Sequence, residues 1–168
     1  MLDTDELLAA AGRLCAVAER PAPLSLRQLA GGKNNRVFAV ATAGGPALIL
    51  KSYHADQRDP RDRLFAEWSF LAYVWDRGVR AVPEPLAQER ASHTALYALV
   101  PGEKLDAGDI PSDHIAQAAR FICAANGAPR EPDRLQPGSE ACFSLADHVA
   151  TVDRRVARLA TLDPDAPH

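Results

Sequence analysis

Apolar residues in the first stretch of the chain recur at helical spacing: Leu7, Leu8, Ala11, Leu14, Cys15 and Ala18 line one side. Asp3, with Glu6 three residues on, has the pattern of a capping box, so a helix is predicted from Asp3 to about Glu19, stopped by Pro21 and Pro23. The period then shortens. Leu24 to Ala30, Arg36 to Thr42 and Ala47 to Tyr53 read as strands, separated by Gly31-Gly32-Lys33-Asn34-Asn35 and by Ala43-Gly44-Gly45-Pro46, which makes two successive hairpins.

Helical spacing returns with Leu64, Trp68, Leu71 and Trp75, and Gly78 closes the segment. Asp59 followed by Pro60 is a suitable N-cap and first-turn pair for it. Pro85 to Glu89 and Thr94 to Val100 are two further strands, and Pro101-Gly102 ends the unit. Pro111 to Asn126 reads as a helix, Gly127 to Glu140 as a Pro- and Gly-rich loop, and Ser144-Leu-Ala-Asp147 opens a last helix to about Leu159. The fold class expected is α+β: a five-stranded antiparallel sheet with one helix inserted after the third strand, a helix before it and two helices after it.

Composition narrows the function classes. The 168 residues carry 19 Lys plus Arg against 22 Asp plus Glu, a formal net charge of -3, which gives no electrostatic footprint for nucleic acid or an anionic membrane. The three cysteines, Cys15, Cys123 and Cys142, lack metal-ligand spacing and read as thiols of a reducing compartment. The N-terminus has no signal-peptide pattern, and no run of 18 apolar residues occurs, so a cytoplasmic protein with no membrane partner is expected.

Three features bear on chemistry. The Gly31-Gly32-Lys33-Asn34-Asn35 loop can turn its backbone N–H groups toward an anion, although the same residues also make ordinary hairpin turns. Lys51 ends the apolar run Ala47-Leu-Ile-Leu50 on the face shared with Ile49, where an ammonium either meets an anion or reaches out to water. Glu67 lies on the apolar face of the inserted helix, with Leu64, Phe70, Leu71 and Val74 at helical offsets. A carboxylate there needs a cation; Lys51 and the surface Arg63 four residues back are the two candidates. The scattered histidines suggest no hydrolase triad.

The order of glycine loop, strand-three lysine, helix glutamate sixteen residues later, two strands and a Pro-Gly hinge resembles the N-terminal lobe of the protein-kinase-like fold. The wording is similar to the aminoglycoside phosphotransferase (phosphotransferase enzyme) family. The matching pieces are Leu29-Ala-Gly-Gly-Lys-Asn-Asn-Arg-Val-Phe38, Leu48-Ile-Leu-Lys-Ser-Tyr53, Arg63-Leu-Phe-Ala-Glu67, Val82-Pro-Glu-Pro-Leu86 and Leu96-Tyr-Ala-Leu-Val-Pro-Gly102, roughly the middle half of the chain.

That resemblance implies an ATP-binding lobe over residues 1–102 and a hinge with a partial helical lobe over 103–168. It implies that Gly31, Gly32, Lys33, Asn34 and Asn35 lie over the triphosphate, that Lys51 holds the α- and β-phosphates, and that Glu67 orients Lys51. Leu29, Val37 and Ile49 would roof the adenine, whose edge would meet the backbone of Leu99 and Val100. The loop departs from the Gly-x-Gly-x-x-Gly pattern of protein kinases.

The family also uses an Asp followed five residues later by Asn, and a further Asp, for the acceptor hydroxyl and Mg²⁺. The asparagines here are Asn34, Asn35 and Asn126, and Leu29, Ala30 and Phe121 stand five residues before them. Asp163-Pro-Asp165 reads as a helix stop. No catalytic or metal-binding residue is therefore expected in this chain, Mg²⁺ and the small-molecule acceptor being left to a fuller second lobe. The expectation is the ATP-binding half of a small-molecule kinase, truncated or a fragment; a non-catalytic nucleotide-binding or regulatory module is the alternative.

Overall fold

The computed structural model describes residues 2–30, 35–55, 61–103, 105–106, 108, 110–127, 135–138 and 141–160. Its elements in chain order are α1 (Thr4–Val17), β1 (Pro23–Gln28), β2 (Asn35–Thr42), β3 (Leu48–Tyr53), α2 (Arg63–Asp76), β4 (Pro85–Glu89), β5 (Thr94–Ala98), α3 (Ser112–Asn126) and α4 (Leu145–Leu159). This is the α+β composition expected from the hydrophobic pattern. The chain forms two compact units, Met1–Leu135 and Gln136–His168.

All strand pairings are antiparallel, in the order β1-β2-β3-β5-β4. The insertion of α2 between β3 and β4 leaves β3 to pair with β5, which places β3 at the centre of the sheet. Alternation along β3 then sorts its side chains between two cores. Leu48 and Leu50 face one side with Phe38, Val40 and Leu96, and α1 covers them with Leu7, Ala11, Leu14 and Cys15. Ile49 and Tyr53 face the other side with Ala95 and Tyr97, and α2 covers that core with Leu64, Trp68, Leu71 and Val74.

Helix α1 begins on the capping box its sequence announces: Asp3 accepts from the Glu6 N–H and Glu6 accepts from the Asp3 N–H. It is fastened to the far edge of the sheet by Arg13, whose Nε and guanidinium NH2 each lie 2.7 Å from an oxygen of Glu89. Ser92 also donates to Glu89, and its hydroxyl is 2.7 Å from that of the buried Thr94.

Several boundaries differ from expectation, among them the end of β1 at Gln28 rather than Ala30. Helix α2 starts at Arg63, its N-cap being Asp62, which accepts from the Phe65 N–H; Asp59 and Pro60 lie outside the described residues. Strand β5 ends at Ala98 rather than Val100.

Among the described residues, no helix is long and apolar enough to cross a membrane. Helix α3 has no buried residue, although Phe121 and Ala125 pack at the margin of the α2-side core. In the second unit, Ser144 caps α4, and Leu145, Val149, Val152, Val156 and Leu159 recur along its length, each at least 45% exposed. The division of the chain into its two compact units falls after Leu135 in the sequence.

Candidate functional site

The site is built on the α2-facing side of the sheet. Register fixes who stands beside whom: Val37 lies opposite Lys51, Ala39 opposite Ile49, and Asn35 opposite Tyr53. On the other flank Ile49 faces Tyr97 and Lys51 faces Ala95. Val37, Ile49 and Lys51 therefore share one surface, half-buried in each case.

Helix α2 crosses this surface with Glu67 pointing at the strand. The Lys51 ammonium donates to Glu67 Oε2 at 2.5 Å, across 16 residues of sequence. The side chains keep 21% and 33% of their accessibility, which leaves the pair partly desolvated but open to a ligand. Both ends sit among apolar groups, so each charge stabilises the other where neither would be comfortable alone. An ammonium has three donors. One is used on Glu67, and the others can meet a polyanion. Lys51 Nζ also lies 5.1 Å from the centre of the Tyr53 ring.

Of the other residues singled out in the sequence, Gly31, Gly32, Lys33 and Asn34 lie outside the described residues. Asn35 opens β2, and its Oδ1 accepts from the His54 N–H at 3.2 Å, which ties the start of β2 to the end of β3. Its amide NH2 is still a donor to offer. Leu29 is half-buried, and its N–H donates to the Val37 carbonyl at 2.8 Å, which brings the end of β1 over the beginning of β2. Leu99 and Val100 follow β5 directly and are 45% and 49% exposed. The Leu99 N–H is given to the Ala47 carbonyl at 3.0 Å, so the group Leu99 can offer a ligand is its own carbonyl.

Two residues of this surface were not foreseen. Tyr53 and Tyr97 bring their hydroxyl oxygens to 2.7 Å of each other in the α2-side core. Burial pushes the proton affinity of both phenols well above the ordinary range, and the charge of Glu67 adds to it. The signal for Tyr53 lay in its place two residues after Lys51, on the same face of the strand. Tyr97 is 44 residues away in sequence, and only the β3–β5 register brings it close.

The cysteines are free thiols: Cys15 buried, Cys123 exposed and Cys142 between the two. Among the described residues, no group of three or more His, Cys, Asp or Glu side chains could hold a metal ion. The Asp163-Pro-Asp165 segment lies outside the described residues.

Comparison with known proteins gives the family context. The sequence profile of the "Phosphotransferase enzyme family" matches residues 25–166. No curated protein matches the chain. Among solved structures, the Rio2 kinase of Chaetomium thermophilum in its "ADP/Mg2+-phosphoaspartate complex" is similar at 24% identity and a TM-score of 0.45, over 73% of this chain and 44% of that one. Another structure of that Rio2 kinase is similar at 28% identity and a TM-score of 0.37, over 52% of this chain and 32% of that one. The chain thus spans less than half the length of either solved chain. Its five-stranded antiparallel sheet, with α2 inserted after β3 and joined to it by Lys51 and Glu67, is the N-terminal lobe of a protein-kinase-like fold. By the match over residues 25–166, the chain belongs to the phosphotransferase enzyme family.

Proposed function

We propose that this chain supplies the ATP-binding part of a small-molecule kinase related to the aminoglycoside phosphotransferases. The observation that carries the reading is the Lys51–Glu67 pair, 2.5 Å long and only partly exposed, on the same surface as Val37 and Ile49. A half-buried ammonium fixed by one carboxylate, with donors to spare, is suited to the α- and β-phosphates of a nucleotide.

In this reading Leu29, Val37 and Ile49 contact the adenine face, and the carbonyl of Leu99 with the backbone of Val100 meets its polar edge. Gly31, Gly32, Lys33, Asn34 and Asn35 approach the triphosphate, Asn35 through its amide NH2. Glu67 holds Lys51 in place and does not touch the nucleotide. ATP bound there would supply a γ-phosphoryl group for an acceptor hydroxyl. Mg²⁺ and the acceptor site are assigned to no residue of this chain.

A second reading, a non-catalytic nucleotide-binding or regulatory module, is favoured by one feature: no Asp in the 168 residues is followed five positions later by Asn. The two readings share the binding step and part at phosphoryl transfer.

Lys51→Met tests the shared step. The substitution removes the ammonium and keeps an apolar stem of similar length. A hydrogen bond to a charged group is worth about 1.5–3 kcal/mol, which is about 10- to 150-fold in affinity. ATP titration by calorimetry should show at least a tenfold loss, with an unchanged circular dichroism spectrum. Equal affinity in the variant and the parent would refute the role of Lys51.

A further inference from the structure

Past the end of α2 the chain turns at Gly78, whose φ of 82° is the left-handed conformation that lets a helix stop. The turn lies across from one side of α3. That side is made by Gln117, Arg120, Phe121 and Ala124, which recur at the i, i+3, i+4, i+7 spacing of a single helix face. Between turn and helix, within the first compact unit, is an open cleft of about 360 Å³ with Arg77, Arg80 and Arg120 in its wall. No carboxylate stands among its described lining residues.

Two of the arginines have a structural task. Arg77 donates to the Tyr73 carbonyl at 3.3 Å and Arg80 to the Trp75 carbonyl at 2.6 Å, so both meet the electronegative end of α2. Each is also stacked: the guanidinium carbon of Arg77 is 3.6 Å from the centre of the Tyr73 ring, and that of Arg80 is 4.0 Å from the Trp75 ring. Stacking holds a guanidinium by its face and leaves the N–H groups along its edge to donate. Arg77 has further contacts within the protein. Arg80 gives only its NH1 nitrogen, to the carbonyls of Trp75 and Val79, and keeps its other donors.

Capping α2 does not account for Arg120. It comes from α3, and among the described residues neither it nor Gln117 has a partner. Phe121, packed at the margin of the α2-side core, turns both of them toward the cleft. Cations gathered around one opening repel each other, and an anion between them converts that repulsion into attraction. Guanidinium forks match the oxygens of a phosphate group, while Val79 and Phe121 supply apolar wall for a carbon skeleton.

We infer that this cleft binds a small organic phosphate monoester, its phosphate held between Arg80 and Arg120 and its carbon part against Phe121 and Val79. The site is separate from the Lys51–Glu67 surface and independent of the nucleotide reading: Arg77 follows Glu67 by ten residues, about 15 Å along the helix axis.

The test titrates the whole chain with phenyl phosphate at low ionic strength, followed by the backbone amide signals in two-dimensional NMR. Gly78, Val79 and Arg120 should shift together. Arg120→Ala, a change at an exposed position of α3, should weaken binding at least about fivefold, and Arg120→Lys, which keeps the charge and loses the fork, should fall between it and the parent. Arg27→Ala, an exposed arginine of β1, and Lys51→Met should each leave the affinity within about twofold of the parent. Inorganic phosphate, with no carbon part for the apolar wall, and succinate, a dicarboxylate, should each bind at least about threefold more weakly than phenyl phosphate.

The inference is overturned if millimolar phenyl phosphate leaves the Gly78 and Arg120 signals unmoved, or if Arg27→Ala weakens binding as much as Arg120→Ala, which would make the attraction a diffuse effect of charge. Loss of binding in Lys51→Met would place the anion at the nucleotide surface and refute a separate site. Succinate or inorganic phosphate binding as tightly as phenyl phosphate would refute the assignment to an organic phosphate.

Discussion

Replacing Glu67 by Gln isolates the charge of the pair from its shape. Glutamine keeps the length and a carbonyl acceptor for the Lys51 ammonium, so what disappears is the attraction between two unit charges. With charge centres about 4 Å apart and an effective dielectric constant of about 20, that attraction is about 4 kcal/mol before solvation is counted. The side chains remain 21% and 33% exposed, so water still screens the pair, while the surrounding apolar groups have removed part of its hydration.

Breaking fully exposed pairs costs about 0.2–1 kcal/mol, and removing one member of a fully buried pair about 3–5 kcal/mol. The intermediate burial here places Glu67→Gln at about 1–2 kcal/mol of lost stability. For a chain of this size each kcal/mol moves the midpoint by about 2–4 °C, so thermal unfolding followed by circular dichroism should show a fall of about 2–8 °C. Adding Lys51→Met to Glu67→Gln should cost less than the sum of the two single changes, because the second substitution has no pair left to break. An unchanged or raised midpoint for Glu67→Gln, or strict additivity, would refute the view that the pair is a partly desolvated link between β3 and α2.

Two further outcomes follow from other parts of the lobe. Arg13 and Ser92 hold the Glu89 carboxyl down to about 2, below its ordinary 4.5, so the link between α1 and β4 stabilises the fold fully above about pH 4.5 and is lost as the pH falls toward 2; in urea unfolding, the stability difference between the parent and Glu89→Gln should shrink across that window and stay constant between pH 5 and 7. Leu50, at 0% exposure in the α1-side core, should cost about 2–5 kcal/mol when replaced by Ala, read as a lower urea midpoint with an unchanged slope.

Much of this architecture is legible from local pattern. Asp3 and Glu6 mark the start of α1 because a capping box depends only on residues three apart. Alternation along Ala47 to Tyr53 places Lys51 on the face opposite Leu48 and Leu50, and helical spacing puts Glu67 among apolar neighbours; together they left Lys51 and Arg63 as candidate cations, and the structure pairs Glu67 with Lys51.

The start of α2 was less legible, since Gln57-Arg-Asp-Pro-Arg-Asp-Arg63 offers two aspartates with similar capping chemistry. Asp62 caps the helix, accepting from the Phe65 N–H, with Leu64 2% exposed in the core. No short-range rule distinguishes it from Asp59. The end of β5 is likewise set from afar, where the Ala47 carbonyl takes the Leu99 N–H. The Tyr53–Tyr97 contact is the clearest case. It depends on β3 pairing with β5 instead of β4, a choice made by the topology of the whole sheet.

The central claim is that Lys51 contacts bound nucleotide, and the chain lends itself to a direct test because its lysines are only Lys33, Lys51 and Lys104. Each can be followed separately by mass spectrometry during mild modification with an amine-specific reagent, with and without saturating Mg-ATP. The account predicts that ATP slows modification of Lys51 at least fivefold and leaves Lys104 unchanged. Modification of Lys51 at the same rate in both conditions, while ATP is shown by calorimetry to be bound, would contradict it.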